Sequence, residues 1–470
     1  MQASGQGEPG TSEARSYGRR ASLLSIGVGL TGLITYLYFA IASHELSRED
    51  YGEIAVLWSA VFITVSTLQR PVEQLLSRSI SEHIAVGQSY SHPVRVAAGI
   101  QSGISLAFVL VAVALREPIT DGLLHGNSTL FWIGVGAVAA YGASYFARGF
   151  LAGSHRLTAY AFLIIAESIS RTAFPFAVAL GIASGQDAVA LGIVAAPTLS
   201  LIVVPFAFLR RGAARRAEAP GAGGPEGPSG GERDGEAPTE FTLAEGSAFA
   251  AAVFLIMLSE QTFLNAGPLL VSASAGAAAA GFIFNILMIA RAPLQLFQAV
   301  STSLLPHLTR LGSQGQEKDF RASVRVTITA IGAFAGAVGV AMLIAGPELM
   351  QIAFGDKFTY ERIDLLLVTA GMGLYLSAAT LNQAALARRQ VRAAATCWIG
   401  CAIAFVIWTA VPIVSDEFRR VEVGYLGAAA VLCALLYALY RRPLGEAGTI
   451  APGSTDEMEL QLAAADEGSP

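Results

Sequence analysis

Four charged residues lie deep inside long apolar stretches of this sequence, where an ionised side chain is costly to insert into a membrane. Glu167 and Arg171 are one helical turn apart in one stretch, and Glu260 and Arg291 lie at similar depths in two later stretches. A guanidinium presents a planar set of donors that suits phosphate, and a buried carboxylate can take up a proton or a cation. Arg171 and Arg291 are therefore predicted to bind an anionic group in a water-filled cavity, and Glu260 and Glu167 to couple to H⁺ or Na⁺.

The same charges also have a purely structural explanation. Glu167 and Arg171 are spaced i, i+4, so they can neutralise each other on one helix face while the helix enters the membrane. Arg291 has no acid one turn away on its own helix, and Glu260 on the preceding stretch is its nearest candidate partner. The sequence is compatible with both explanations.

Three further arginines, Arg70, Arg78 and Arg148, lie at the predicted cytoplasmic ends of apolar stretches. Most arginines at such ends only fix the topology of the chain. Some can also line the cytoplasmic mouth of a cavity and attract an anionic headgroup, and Arg70 and Arg148 are the candidates for this role. Glu73 and Glu82 are expected to pair with these arginines.

The elements that must position these residues are membrane-spanning helices. Of the 470 residues, 53% are hydrophobic and only 14% are charged, and the mean hydropathy is +0.55. Apolar runs of roughly 20 residues recur about twelve times, which is the length that crosses a bilayer, and the bilayer core admits only a backbone whose polar groups are paired. The sequence predicts an all-α integral membrane protein. The predicted spans are 21–43, 51–69, 97–115, 130–150, 160–182, 188–209, 248–270, 278–299, 324–344, 363–386, 393–413 and 423–440.

The distribution of basic residues predicts the orientation of these spans. With a cytoplasmic N-terminus, most of the 30 basic residues fall in cytoplasmic segments, as topology rules require. Because an odd number of spans would destroy this asymmetry, we expect twelve spans and two cytoplasmic termini. The external segments carry only Arg48, Arg116, Lys357, Arg362, Arg419 and Arg420.

A polar linker divides the chain into two halves. Residues 211–243 are rich in Gly, Pro, Glu and Arg and cannot bury a core, so we expect them to be a disordered cytoplasmic linker. The predicted organisation is a cytoplasmic tail (1–20), a six-helix lobe (21–210), the linker, a second six-helix lobe (244–441) and a disordered cytoplasmic tail (442–470).

The two halves are weakly similar in sequence. The pair Tyr51-Gly52 aligns with Ala280-Gly281, and in that register LSRSISE (76–82) aligns with LPHLTRL (305–311). A rival alignment of 70–76 with 291–297 would displace one helix by about two turns in membrane depth, which disfavours it. An internal duplication is typical of transporters whose binding site lies between two halves.

Several enzyme and cofactor signatures are absent from the sequence. It contains no GxxxxGK[ST] loop, HExxH, CxxC or dinucleotide fingerprint, and its external loops are too short to hold a catalytic domain. The three cysteines lie inside apolar runs, where they are small packing residues. We expect a protein that is not an enzyme, with no metal site, no nucleic-acid partner and no cofactor beyond a coupling ion.

Three segments, 46–59, 148–171 and 281–311, together resemble the polysaccharide-exporter branch (Wzx-like O-antigen flippases) of the multidrug/oligosaccharidyl-lipid/polysaccharide (MOP) flippase superfamily. The resemblance implies two six-helix lobes, as in the MATE branch, around a V-shaped cavity. It also implies passage of a polyprenyl-diphosphate-linked oligosaccharide from the inner to the outer leaflet. Cavity arginines would engage the diphosphate, and Arg171 and Arg291 have suitable depth for this. The long linker departs from the short connection usual in the family.

Three functions compete. The first is a lipid-linked glycan flippase of the bacterial plasma membrane, working by alternating access beside membrane lipids, glycosyltransferases and a glycan polymerase. The second is an ion-coupled exporter of small amphipathic compounds, either MATE-like or of the major-facilitator type, although 77–94 lacks the GxxxD[RK]xG[RK] pattern of the latter. The third is a scaffold for cell-wall enzymes that transports nothing.

Overall fold

The computed structural model of the chain describes residues 9–205, 243–388 and 390–442, with the backbone alone described for 9–26, 243–250, 290–303, 305–306 and 313. Every regular element in this part of the chain is a helix. The first lobe contains α1 (Pro9–Glu45), α2 (Arg48–Leu68), α3 (Arg70–Ala85), α4 (Ser91–Ala114), α5 (Arg116–Gly122), α6 (Ser128–Gly153), α7 (Leu157–Ala179) and α8 (Gly185–Ser200). The second contains α9 (Leu243–Ala275), α10 (Ala277–Ser313), α11 (Glu317–Phe354), α12 (Arg362–Ala387), α13 (Val391–Ala410) and α14 (Glu417–Arg441).

These helices confirm the predicted all-α membrane fold. In the described part of the chain, 11 helices are long and apolar enough to cross a membrane, and each coincides with a predicted span. The remaining predicted span, 278–299, falls on α10, which is apolar over its described segment Ala277–Ile289. The predicted linker falls almost wholly within 206–242, outside the described residues, and nearly all of the C-terminal tail lies outside them too.

One predicted helix end differs from the structure. The second span does not stop at Gln69, because α3 continues it to give a single apolar segment of 38 residues, Arg48–Ala85. Pro71 lies in the first turn of α3. Proline is tolerated there because the N–H groups of the first turn have no partner within the helix, and its presence interrupts the helix between α2 and α3. Arg70 therefore lies at a junction inside the span rather than at its end.

The two lobes repeat one pattern of helix packing. In the first lobe α1 packs on α7, α7 on α8 and α6 on α8, while in the second lobe α9 packs on α13, α13 on α14 and α12 on α14. Each helix of the first set corresponds in chain order to one of the second set. The repeat that the sequence suggests weakly is thus present in the tertiary structure.

The lobes meet where α2 crosses α9 and α10. Gly281 lies against Gly52 so closely that a Cβ on Gly281 would be 3.1 Å from the Gly52 Cα atom. These are the two glycines that the sequence alignment makes equivalent. Two equivalent residues of a two-fold repeat can touch each other only near the axis that relates the two halves. This contact therefore supports the alignment of Tyr51-Gly52 with Ala280-Gly281.

Candidate functional site

A cavity of about 820 Å³ lies between the two lobes. Helices α1, α2, α6 and α7 and the start of α3 form one wall, and α9, α10 and α11 form the other. The wall from the first lobe carries charged and aromatic side chains. The wall from the second lobe is neutral among its described residues and includes Gln261, Asn265, Met288, Met342 and Met350. Charge in the described lining is therefore confined to one lobe.

Arg171 faces this cavity from α7 and is only 3% exposed. Its Nη2 donates to the Tyr141 hydroxyl at 2.9 Å, and its Nη1 donates to Thr35 Oγ1 at 3.2 Å. The guanidinium also lies over the Trp58 ring, with its central carbon 4.6 Å from the ring centroid. Three helices thus fix the guanidinium with neutral groups, which suits a site prepared for an anion.

Glu167 is shared by two arginines. Its Oε1 accepts from Arg171 Nη2 at 3.1 Å, and its Oε2 accepts from Arg148 Nη2 at 2.6 Å and from Ser144 Oγ at 3.1 Å. Glu167 and Arg148 are 4% and 3% exposed, and both line the cavity. The i, i+4 pair is therefore one half of a cluster that joins α6 to α7.

The position of Arg148 depends on close contact between α3 and α6. A Cβ on Gly149 would lie 2.6 Å from the Glu73 carbonyl oxygen, and one on Gly153 would lie 2.8 Å from the Ile80 Cβ. Only glycine lets the two backbones approach this closely. The contact brings Arg148 within electrostatic range of the buried Glu73, whose Oε1 accepts from the Tyr160 hydroxyl at 3.0 Å.

Arg70 adds a third cation to the same wall. It is buried at the junction of α2 and α3, lines the cavity and interacts electrostatically with Glu73. Arg70, Arg148 and Arg171 are three cations beside the two carboxylates of Glu73 and Glu167. The cluster therefore carries a formal excess of one positive charge, which favours an anionic ligand.

The structure does not place the other two predicted site residues in the described cavity lining. Glu260 is half-buried on α9, within electrostatic range of Tyr375, and is not among the described residues that line the cavity. The Arg291 side chain lies outside the described residues. The roles proposed for both stay predictions. Arg78 makes an exposed ion pair with Glu82 at 2.6 Å, as expected of an arginine that only fixes topology.

The aromatic residues of the site were not identified from the sequence. Tyr141, Tyr145 and Arg148 are spaced i, i+4, i+7 on α6, so they form one stripe that faces the cavity. The Arg148 guanidinium lies over the Tyr145 ring at 4.5 Å. The i, i+4, i+7 spacing of two tyrosines and an arginine was the signal in the sequence that could have identified this stripe.

Polar contacts join the two lobes at the predicted external face, and we interpret them as closing the cavity there. The Tyr51 hydroxyl donates to Asn285 Oδ1, and Asn285 Nδ2 donates to the Tyr360 hydroxyl at 2.9 Å. Burial raises the pKa of Tyr360, so this hydroxyl stays protonated. Nearby, Lys357 Nζ donates to the carbonyl oxygens of His44 and Leu46, both at 2.6 Å. These contacts join the end of α1 and the start of α2 to the second lobe.

The accessibility of Lys357 provides a direct measure of this closure. Lys357 and Lys318 are the only lysines in the sequence, and Lys318 is exposed. Because the Lys357 ammonium is held by carbonyl groups across the lobe interface, we expect an amine-reactive reagent to modify it at least about tenfold more slowly than Lys318. Mass spectrometry of the labelled protein measures both rates. Equal rates would contradict a closed external face.

The known proteins that resemble this chain in sequence or in structure share a low percentage of identical residues with it. No family model matches the chain. Proteins of Mycobacterium tuberculosis and Mycobacterium bovis, described as uncharacterized, are 23% identical over 453 residues, covering 93% of this chain and 96% of theirs. An inward-facing multidrug resistance MATE family transporter of the MOP superfamily superposes with a TM-score of 0.62 at 10% identity, covering 89% of this chain and 97% of that one.

Two further solved structures share the fold. The lipid II flippase MurJ, in an inward closed conformation, gives a TM-score of 0.61 at 13% identity, covering 90% of this chain and 88% of its own. A eukaryotic MATE transporter gives a TM-score of 0.56 at 11% identity, and the superposition covers 95% of this chain and 99% of the transporter. The chain is thus a multi-pass membrane protein with the fold of the transporters and flippases of the MOP superfamily.

Proposed function

We propose that this protein moves a polyprenyl-diphosphate-linked oligosaccharide from the inner to the outer leaflet of a bacterial plasma membrane. The observation that carries the proposal is the cavity between the lobes, whose wall holds Arg70, Arg148 and Arg171 with an excess of positive charge. Arginine binds phosphate oxygens through paired donors, so the cluster suits a diphosphate. The amides of Gln261 and Asn265 on the facing wall suit sugar hydroxyls.

The position of the arginines suggests a direction of movement. Arg70 lies 18 residues after Gly52, about 27 Å along the helix from the closed external face. In the proposed mechanism the headgroup enters from the predicted cytoplasmic side while the lipid tail stays in the bilayer. The lobes then rock, the contacts around Lys357 and Tyr51 open, and the headgroup leaves outwards. The membrane potential favours outward movement of an anion, and H⁺ or Na⁺ at Glu260 or Glu167 is a further candidate driving force.

The alternative is an ion-coupled exporter of small amphipathic compounds. The observation that favours it is the apolar share of the lining, with Tyr36, Trp58 and Phe62 opposite Met288 and Met342. The excess positive charge disfavours cationic compounds, so this alternative would have to apply to anionic or neutral ones.

Reconstitution in liposomes tests the proposal. We expect the purified protein to move a fluorescent polyprenyl-diphosphate sugar between leaflets well above the rate of protein-free vesicles, and to move a polyprenol sugar without phosphate poorly. The readout is the fraction of fluorophore that an external quencher reaches with time. Movement of anionic amphiphiles but not of the glycolipid would favour the alternative, and movement of neither would contradict both. Glycosyltransferases and a glycan polymerase are the proposed partners.

A further inference from the structure

The carboxylate of Glu167 occupies the place that an anionic ligand of the two arginines would take. Each of its oxygens accepts from one guanidinium, Arg148 at 2.6 Å and Arg171 at 3.1 Å, and all three residues line the cavity. We propose that Glu167 is an exchangeable counterion: it holds both arginines in the empty cavity, releases them to the substrate's phosphates and takes them back when the substrate leaves. This inference rests on the proposed function, since it assigns a role in the same site.

Each arginine also has contacts with groups other than Glu167. Arg171 is held by the Tyr141 hydroxyl, Thr35 and the Trp58 ring, and Arg148 lies over the Tyr145 ring. None of these groups neutralises a guanidinium. When the carboxylate withdraws, both cations therefore stay in place with their charges available to a ligand.

The carboxylate also has a partner that remains when the arginines change ligand. Ser144 Oγ donates to Glu167 Oε2 at 3.1 Å, and Ser144 lies on α6 one turn before Arg148. A small rotation of the Glu167 side chain can thus leave the guanidiniums while keeping one donor. Because Glu167 is on the same helix as Arg171, it is always close enough to return.

Charge balance gives the exchange a purpose in transport. With Glu73 and Glu167 ionised, the empty cluster carries a net charge of plus one. A bound diphosphate diester is a dianion, so it changes this net charge to minus one. Without Glu167 the empty cluster would carry two positive charges and would hold the dianion more tightly. A carrier must bind its substrate weakly enough to let it leave. Glu167 thus limits affinity and permits release.

A merely structural role for Glu167 makes the opposite prediction. If its function were to position the arginines, its removal would weaken anion binding. If it competes with the ligand, its removal strengthens anion binding and slows release. The sign of the change in affinity therefore separates the two roles.

The experiment compares E167Q with wild type, with E82Q as the matched control at an exposed ion pair. The probes in detergent are farnesyl diphosphoryl-N-acetylglucosamine, its monophosphoryl analogue and inorganic pyrophosphate. We expect E167Q to bind the diphosphates about tenfold or more tightly, to gain less for the monophosphate, and to release the glycolipid more slowly. We expect E82Q to match wild type. Unchanged or weaker pyrophosphate binding by E167Q would overturn the inference.

A second pair of variants covers the case in which E167Q does not fold. In R148Q the carboxylate keeps Arg171, and R148Q/E167Q removes one charge of each sign from the wild-type cluster. We expect the double variant to bind pyrophosphate more tightly than R148Q alone, and equal or weaker binding would overturn the exchange. If pyrophosphate behaves as expected but neither glycolipid binds any variant, the proposed substrate is wrong while the counterion role of Glu167 stands.

Discussion

Replacing Arg171 with Gln is expected to reduce glycolipid translocation about 100-fold, which corresponds to roughly 3 kcal/mol of lost interaction with the phosphates. The substitution removes a cation that several groups hold at the cavity wall, and it cancels the excess positive charge of the cluster. Because Glu167 keeps its ion pair with Arg148 at 2.6 Å, no carboxylate is left alone and the fold should survive. The measurement is the initial rate of leaflet exchange in liposomes.

Two comparisons make this result specific. R78Q removes an arginine of an exposed ion pair on the same lobe and should transport like wild type, since such pairs contribute little. R171K keeps the charge but loses the planar set of donors, so its rate should lie between those of wild type and R171Q. Wild-type transport by R171Q in correctly inserted protein would show that this guanidinium does not bind the headgroup.

Replacing Gly52 with Ala is expected to shift the protein away from the state closed at the predicted external face. A Cβ at this position would overlap the carbonyl group of Ala277, on the opposite lobe. Inserting one carbon into a filled contact typically costs about 1–3 kcal/mol, and here the cost falls only on the closed state. The closed population should therefore fall by roughly 5- to 150-fold relative to the open one.

The shift can be measured by pulsed electron paramagnetic resonance between labels at the exposed positions Glu49 and Asp356, in a chain whose three cysteines are replaced. We expect longer distances in G52A, together with faster amine labelling of Lys357. G99A is the matched control, because it makes the same change within a helix where a Cβ meets nothing within 4 Å. Identical distance distributions for the two variants would show that the lobes do not separate at Gly52.

Part of the candidate site could be predicted from the sequence. Glu167 and Arg171 stand out because an ionised residue in the middle of an apolar run has few explanations, and both line the cavity. Arg148 was predicted only as a residue of the cavity mouth. Its partner Glu167 lies on another helix, and the close approach of α3 and α6 at Gly149 and Gly153 that places Arg148 depends on tertiary packing.

The sequence by itself determined the membrane-spanning stretches, their order and the depth of Glu167 and Arg171, because hydrophobic length and the need to pair the backbone act locally along the chain. It also indicated the repeat through Gly52 and Gly281. Only the tertiary structure decided which face of each helix turns towards the cavity, that Arg148 joins Arg171 on Glu167, and that Lys357 holds the end of α1. The rotation of a helix about its axis depends on the shapes of its neighbours, and this information is spread over residues far apart in the chain.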